Sequence, residues 1–271
     1  MSEQKQSRIT LIGAGRMGSA LAGGWLKAGR SGHIDIVDPA PAGAVQTWIE
    51  AGQVRHNPEP APADTLVVAV KPQVFGKLAG EIRRWVGPET LVLSIMAGVS
   101  LETLATKLGT AQVARAMPNT PGLVGKGVTI LCPPAGTDAA RIEALNVLLR
   151  PLGDVVGPIG EDLLPAATAI SGCGPAYGFL LAEMMAAAGA AHGLDPAMAM
   201  QLARKTVEGA GALMQDAPED AATLRQNVTS PNGVTQAALE VLMSPDAMPS
   251  IFEKAVAAAI ARDIALSKET E

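Results

Sequence analysis

The chain has 271 residues, of which 48% are hydrophobic, 3% aromatic and 17% charged, and its formal net charge at pH 7 is −5. This length and composition suit two modest domains with apolar cores and exclude a disordered protein. The mild acidity, without any cluster of Lys and Arg, argues against a nucleic-acid or membrane-surface partner.

The N-terminal stretch MSEQKQSR is polar and lacks the apolar core of a secretory signal, so we expect a cytoplasmic protein. Cys132 and Cys173 lie far apart and outside any metal-ligand spacing, which predicts two reduced thiols and no metal site. The apolar stretch over residues 177–194 contains Glu183 and His192, and we interpret it as a buried helix rather than a membrane span.

Short β-branched runs alternate with helical patterns from Arg8 to about Ile159. The runs are ITLIG, IDIVD, TLVVAV, TLVLSI, VARAM, VTILC and DVVGPI. This alternation predicts βαβ units in an α/β fold, and the near-continuous apolar strands predict a doubly wound, mostly parallel sheet. After Glu161 only helical patterns remain. We therefore predict a dinucleotide-binding domain over residues 1–162 and an all-α domain over residues 163–271.

A glycine-rich turn follows the first strand, in the stretch ITLIGAGRMGSALAGGWLKAG. Gly13 suits a tight turn, Gly15 lets the main chain approach a pyrophosphate, and Gly18 lets the helix and strand pack closely. The helix that begins here offers N–H groups and a partial positive charge to phosphates. Because a strand precedes the motif and an amphipathic helix follows it, the pattern predicts a Rossmann-type dinucleotide site.

Asp38 ends the second predicted strand, where an acidic residue accepts hydrogen bonds from the adenosine ribose. A carboxylate there repels a 2′-phosphate, and the stretch from Pro39 to Gly43 has no Arg to offset it. The sequence therefore favours NADH over NADPH. The alternative is a solvated Asp that only starts a turn.

The stretches AVKPQVF, IMAGVS and RAMPNTP follow three further strands at the same edge of the predicted sheet. We expect Ala97, Gly98, Asn119 and Thr120 to lie beside the nicotinamide of a bound cofactor. Lys71 either reaches the cofactor or covers the surface with its aliphatic stem.

The long helix predicted from Pro175 to Gly193 has small or apolar residues on every face. Such a helix must be enclosed on all sides, and a domain of this size does not enclose it alone. We therefore predict a homodimer, or a higher homo-oligomer, formed through the helical domain.

Six motifs taken together resemble the pyrroline-5-carboxylate reductase family. They are GAGRMG, AVKP, MAGVS, RAMPNTP, AISGCGPAY and LRQNVTSPNGVTQAALEVL, and the last two are distinctive of that family. The resemblance runs almost end to end. It implies reduction of the C=N bond of 1-pyrroline-5-carboxylate to L-proline, the last step of proline synthesis, with hydride from NAD(P)H.

The resemblance also implies a set of site residues. Cofactor contacts are expected from Ile12, Gly13, Ala14, Gly15, Arg16, Met17, Gly18, Asp38, Asn57, Ala69, Val70, Lys71, Pro72, Met96, Ala97, Gly98 and Asn119. Substrate contacts are expected from Glu161, Asn227, Ser230, Gly233, Val234 and Thr235. Two positions depart from the family. Asp38 stands where NADP-using members tend to carry a small or basic residue, and Asn232 stands where a second glycine is common, although Asn can adopt the same positive φ.

The stretch TSPNGVTQAAL breaks one helix and starts another. We expect the restarted helix to present free N–H groups from Gly233, Val234 and Thr235, which can bind the carboxylate of a small acid. The Thr235 hydroxyl is then the catalytic candidate, placed to hydrogen-bond the ring nitrogen. The alternative for Thr235 is a plain helix cap. No His is assigned a role, because a cyclic imine is largely pre-protonated near neutral pH and positioning does most of the work.

Two rival functions remain open at this point. A β-hydroxyacid dehydrogenase or a related imine reductase shares the expected architecture, but such a dehydrogenase is expected to place a Lys on an early helix of its second domain, and the helix after Pro175 has none. A non-catalytic NAD-sensing module is the other rival. It has no need of the second anion site expected near Thr235.

Overall fold

The computed structural model describes residues 7–41 and 43–270, without the side chains of the last two of these. Its contacts divide the chain into two compact units. The first unit comprises residues up to Gly172 together with the segment from Ala259 onward, and the second runs from Cys173 to Ala258. The predicted boundary between residues 162 and 163 falls before this division, because Leu164 and Ala167 still pack on the sheet residues Met117 and Cys132.

One sheet forms the centre of the first unit. Its strands in the described residues are β1 (Ile9–Ile12), β2 (Ile34–Val37), β3 (Arg55–His56), β4 (Thr65–Val68), β5 (Leu91–Ser94), β6 (Val113–Pro118), β7 (Gly127–Cys132) and β8 (Gly153–Val156). Their order across the sheet is β3-β2-β1-β4-β5-β6-β7-β8. The first six strands pair in parallel, β7 is antiparallel to β6, and β8 is parallel to β7. The predicted doubly wound, mostly parallel sheet is therefore confirmed.

The first helices of the described residues lie between the strands, and only helices follow β8. The helices are α1 (Arg16–Lys27), α2 (Ala44–Glu50), α3 (Pro72–Arg83), α4 (Leu101–Leu108), α5 (Ala139–Leu149), α6 (Leu164–Ala167), α7 (Gly174–Ala191), α8 (Pro196–Asp216), α9 (Ala221–Asn227), α10 (Val234–Leu242) and α11 (Met248–Thr270). A π turn over Thr168–Gly172 separates α6 from α7. Side-chain caps begin several helices: Ser100, Asp195 and Asp220 each accept a hydrogen bond from the N–H three residues on.

Helices cover both faces of the sheet, and this explains why its strands are apolar throughout. On one face Leu21 and Trp25 of α1 pack with Leu145 of α5. On the other face Phe75 of α3 packs with Leu104 of α4. Each such side chain contributes about 1.5–3 kcal/mol through burial. The order of the parallel strands places their switch point between β1 and β4, where doubly wound folds bind ligands.

The second unit buries little apolar surface of its own. Its buried cluster consists of small side chains where α7 meets α8, namely Ala182, Ala186, Ala199 and Ala203. Large apolar side chains of α7 face outward, with Phe179 69% and Met184 61% exposed. Exposed apolar surface of this kind marks an interaction face. In the part of the chain that the structure describes, no helix combines the length and apolarity that a membrane crossing needs.

Candidate functional site

Two glycines of the turn between β1 and α1 are required by the protein's own packing. Gly13 has φ of 90°, in the region that favours glycine. A Cβ on Gly13 would lie 2.9 Å from the Ala69 carbonyl oxygen, and one on Gly18 would overlap the Gly13 carbonyl oxygen. Both residues therefore have the turn and packing roles that the sequence predicts.

Gly15 differs from these two because a Cβ on it would meet no protein atom within 4 Å. Gly15 is the N-cap residue of α1, and its side-chain position faces open space. Among the described residues, the N–H groups of Arg16 and Met17 have no hydrogen-bond partner. Open space in front of unpaired N–H groups at a helix start fits a pyrophosphate.

A cleft of about 400 Å³ lies at this edge of the sheet. Seven of the residues predicted to contact the cofactor line it: Ile12, Gly13, Gly15, Asp38, Ala69, Val70 and Lys71. Its far wall consists of α3 side chains, including Val74, and of Trp85, which lies two residues beyond the end of that helix. Pro72 is the first residue of α3 and Lys71 its exposed N-cap residue. The structure thus brings together the predicted residues that follow β1, β2 and β4.

The carboxylate of Asp38 is held by main-chain N–H groups. One oxygen accepts a hydrogen bond from Ala14 at 2.7 Å, and the other accepts one from Ala40 at 2.9 Å. The main chain of Asp38 is held in turn by Asn57, whose Oδ1 accepts from the Asp38 N–H at 3.0 Å and whose Nδ2 donates to its carbonyl at 3.1 Å. Asn57 has φ of 44°. A direct contact between Asn57 and a cofactor stays a prediction.

The loop after β5 and the end of β6 hold four further predicted cofactor residues, and these four do not line the cleft just described. Met96 and Gly98 are buried, whereas Ala97 is exposed. Asn119 is buried, its Nδ2 donates to the Ser171 carbonyl at 3.0 Å, and its Oδ1 accepts from the Val128 N–H at 2.9 Å. The Asn119 side chain therefore braces β7 and the π turn, and a cofactor contact from it stays a prediction.

Glu161 lies in an ion pair that the sequence analysis missed. Its Oε1 accepts from Arg115 Nη1 at 2.6 Å and from the Leu101 N–H at 2.8 Å. Arg115 is on β6, and its side chain is 7% exposed. The sequence did contain a signal for this ion pair. Arg115 lies inside the apolar run VARAM, and a buried cation needs an acidic partner. A substrate contact from Glu161, as the resemblance implies, is not tested by this placement.

The start of α10 lies in the second unit. Asn232 has φ of 55°, so it adopts the positive φ expected of it. The expectation that the Gly233 N–H is free is wrong, because it donates to the Ser230 carbonyl at 3.0 Å in the turn. Among the described residues, the Val234 and Thr235 N–H groups have no partner. A Cβ on Gly233 would overlap Ser230 Oγ, which explains the glycine.

Thr235 does not cap α10. The N-cap residue is Gly233, which makes no side-chain cap, so the alternative of a plain Thr cap is wrong. Val234 is 89% exposed, and Asn227 is exposed at the end of α9. The predicted substrate residues of the second unit thus sit around one short turn between α9 and α10, with two unpaired N–H groups.

Cys173 and Tyr177 occupy the first turn of α7. The Tyr177 ring contacts Phe252 edge to face, with ring centroids 5.8 Å apart. Burial raises the pKa of Tyr177, and the neighbouring Cys173 adds to the rise. Within the described residues, no group of His, Cys, Asp and Glu side chains is placed to hold a metal ion.

Known proteins similar to this chain point to one family. The family model described as pyrroline-5-carboxylate reductase dimerisation matches residues 161–266. A pyrroline-5-carboxylate reductase of Pseudomonas aeruginosa is 36% identical over 270 residues, which cover 97% of each chain. The chain belongs to the pyrroline-5-carboxylate reductase family. The model described as NADP oxidoreductase, coenzyme F420-dependent, matches residues 8–98.

Solved structures of the pyrroline-5-carboxylate reductase family share the whole fold. The enzyme of Coxiella burnetii matches with a TM-score of 0.88 and 31% identity over 96% of this chain and 98% of its own. The Plasmodium falciparum protein, solved with NADP bound, matches with a TM-score of 0.79 and 27% identity over 97% and 98%. The resemblance seen in the motifs therefore extends to the complete fold.

Proposed function

We propose that this protein reduces 1-pyrroline-5-carboxylate to L-proline with hydride from a reduced nicotinamide cofactor. The observation that carries the proposal is the 36% identity, over 97% of both chains, with a pyrroline-5-carboxylate reductase. The cleft at the edge of the sheet and the unpaired N–H groups at α10 support it independently.

The residues around the cleft fit a dinucleotide. In this proposal the α1 N–H groups at Arg16 and Met17 bind the pyrophosphate, and Gly15 leaves the room that it needs. Residues of the other predicted loops, including Lys71 and Gly98, complete the cofactor contacts. The bound cofactor supplies a hydride from C4 of its nicotinamide.

We further propose a preference for NADH over NADPH. A relative in the same family was solved with NADP, so a nicotinamide cofactor of either kind suits the fold. The preference rests on Asp38, whose carboxylate lines the cleft and carries a negative charge where a 2′-phosphate would approach. The two N–H groups that bind Asp38 hold that charge in place.

At α10 the proposal assigns the substrate carboxylate to the Val234 and Thr235 N–H groups. An anion is favoured there by the unpaired N–H groups and by the partial positive charge of the helix start. Asn227 and Ser230 flank this position, and Gly233 contributes through its small size. The Thr235 hydroxyl hydrogen-bonds the ring nitrogen and orients C5 toward the hydride donor. No strong acid is needed, because the iminium carbon of the ring is already electrophilic.

A homodimer, or a higher homo-oligomer, completes the proposal. The family model that matches residues 161–266 describes a dimerisation domain. The exposed apolar side chains of α7, such as Phe179 and Met184, provide the surface that a second copy would cover. The cytoplasmic location expected from the sequence is untested and stays a prediction.

An assay with the two reduced cofactors and three classes of substrate separates this function from its rivals. The proposal predicts cofactor oxidation with 1-pyrroline-5-carboxylate. Oxidation with a keto acid alone would favour the β-hydroxyacid dehydrogenase, and oxidation with a different cyclic imine alone would favour a related imine reductase. NADH binding without turnover of any substrate would favour the sensing module.

A further inference from the structure

β3 lies at the edge of the sheet beside β2, and among the strands of the described residues it is the shortest. Arg55 stands opposite Asp35 of β2, and His56 stands opposite Ile36. A strand of two residues forms few main-chain hydrogen bonds with its neighbour. Side-chain contacts must therefore add to the pairing that keeps this segment in place.

An ion pair holds β3 against β2. Arg55 Nε donates to one carboxylate oxygen of Asp35 and Arg55 Nη2 donates to the other, each at 2.6 Å. The Asp35 side chain is 2% exposed. Two charge-assisted bonds in this arrangement fix orientation as well as distance. The residues that follow Arg55 therefore start from a fixed position beside β2.

His56 reaches from β3 to the residue that follows β2. Its Nε2 lies 2.9 Å from the carbonyl oxygen of Asp38. Because a carbonyl oxygen only accepts hydrogen bonds, Nε2 carries the hydrogen and donates it. The same oxygen accepts from Asn57 Nδ2 at 3.1 Å, so two adjacent side chains use both of its lone pairs. Together they hold the main chain at Asp38.

The main chain at Asp38 carries the charge that faces the cofactor cleft. Among the described residues that line the cleft, Asp38 is present and His56 is absent. Only two rotatable bonds separate the Asp38 main chain from its carboxylate, so a shift in one moves the other. The carboxylate keeps its hydrogen bonds to the N–H groups of Ala14 and Ala40 only while that main chain stays in place.

We infer that His56 is a positioning residue that sets the preference for NADH by fixing the main chain of Asp38. The inference deepens the proposed function and rests on it, because it needs the Asp38 carboxylate to face the adenosine ribose. A histidine that only stabilised the edge of the sheet would affect the binding of NADH and NADPH alike. The two cofactors together therefore separate a positioning role from a purely structural one.

His56→Leu tests the inference by removing the donor while keeping a bulky side chain. The Kd for NADH, measured by fluorescence titration without substrate, should rise about fivefold, which is the effect of one lost hydrogen bond. The Kd for NADPH should change less than about twofold, because the displaced carboxylate no longer opposes the 2′-phosphate. The ratio of the NADPH Kd to the NADH Kd should therefore fall.

His56→Gln and His56→Asn separate the hydrogen bond from the rest of the side chain. The Gln amide nitrogen can stand where Nε2 stands, so His56→Gln should keep the ratio within about twofold of that of the unmodified protein. The shorter Asn side chain places its amide near the position of Nδ1, so His56→Asn should behave like His56→Leu. It also covers the case in which a leucine at this half-buried position prevents folding.

His33→Leu is the matched control, because His33 is also half-buried and directly precedes β2, at the opposite end of that strand. It should leave both dissociation constants unchanged. A double variant tests whether His56 acts through Asp38. Adding His56→Leu to Asp38→Ser should change the ratio by less than about twofold, because the charge that His56 positions is already gone.

An unchanged ratio in His56→Leu or His56→Asn, whichever folds, would overturn the inference. An equal rise in both dissociation constants would overturn it too, as would a further fall of the ratio in the double variant. A preference of the unmodified protein for NADPH has the same consequence, and it is seen before any variant is made. The titrations need no turnover, so failure to reduce 1-pyrroline-5-carboxylate is detected separately.

Discussion

The carboxylate of Asp38 accepts a 2.7 Å hydrogen bond from the main-chain N–H of Ala14. This bond joins the end of β2 to the glycine-rich turn after β1, so one side chain both fixes the turn and places a negative charge in the cleft. The proposed cofactor selectivity and the geometry of the turn thereby depend on the same residue.

Asp38→Ser should relax the discrimination against NADPH, because it removes the charge that faces a 2′-phosphate and keeps a short acceptor for Ala14. We expect the ratio of kcat/KM for NADPH to that for NADH to rise about tenfold. Asp64→Ser is the control, since Asp64 accepts from Arg8 ahead of β1, at the opposite end of the strand. A preference for NADPH in the unmodified protein would contradict the role given to Asp38.

Gly15→Ala should weaken NADH binding, whereas Gly18→Ala should lower thermal stability. The Cβ of Gly15→Ala meets no protein atom, so its Tm should stay close to that of the unmodified protein while NADH affinity falls by about tenfold or more. The Cβ of Gly18→Ala overlaps the Gly13 carbonyl, so its Tm should fall, as measured by thermal unfolding. If Gly15→Ala bound NADH with normal affinity, the proposal that this turn binds the pyrophosphate would be wrong.

Thr235→Ala should lower kcat for pyrroline-5-carboxylate reduction by about tenfold to a hundredfold, with little change in NADH affinity. The hydroxyl is not needed as a helix cap, because Gly233 occupies that position, so Tm should be nearly unchanged. Thr206→Ala, on the exposed surface of α8, is the matched control. If Thr235→Ala turned over at the normal rate, the hydroxyl would have no part in the reaction.

Burial raises the pKa of the Cys132 thiol to about 11, with Glu161 and Asp162 adding to the rise and Arg115 opposing it. Below pH 9 the thiol is protonated in the folded and unfolded chains alike. Between pH 9 and about 11 the thiol ionises in the unfolded chain but not in the folded one. This difference lowers the free energy of unfolding by about 2 kcal/mol as the pH rises.

Cys132→Ala isolates that contribution. The variant is expected to be less stable at neutral pH because it opens a small cavity, but the gap in unfolding free energy should narrow by about 2 kcal/mol above pH 9. Denaturant titrations of both proteins across this range measure the gap. A gap that stays constant with pH would show that the thiol ionises normally in the folded protein.

Leu180→Glu combined with Met184→Glu should convert the oligomer to monomers. The two side chains are one turn apart on α7 and lie 52% and 61% exposed, so the charges disturb a partner surface rather than the folded unit. Sedimentation measures the result. Val147→Glu, a 40% exposed residue of α5 in the first unit, should leave the oligomer intact. An oligomer that survives the double change would place the interface elsewhere.

Most of the sheet was predictable because β-branched runs separated by helical patterns leave few alternatives. The direction of β7 was not signalled by composition. Only a 3₁₀ turn over Thr120–Val124 lies between β6 and β7, too short for the crossover that a parallel partner requires, so the strand returns antiparallel. The length of that connection was the available signal.

The candidate site was predictable where main-chain geometry dictates the residue type. Gly13 and Gly18 follow from the turn, and the cleft gathers the predicted residues after three strands. Arg115 inside the apolar run VARAM signals a buried cation that needs a partner, but Glu161 lies 46 residues further along the chain, so no local pattern identifies that partner. The bond from Gly233 to Ser230 depends on the exact path of the turn, and Asn-Gly permits more than one path.

The central claim is that hydride passes from the nicotinamide to C5 of a five-membered cyclic imino acid. NADH deuterated at C4 on the transferred side, incubated with the protein and 1-pyrroline-5-carboxylate, tests it directly by NMR of the product. The account predicts L-proline carrying deuterium at C5, in an amount equal to the NADH oxidised. NADH oxidation without deuterium at C5, or no proline at all, would contradict it.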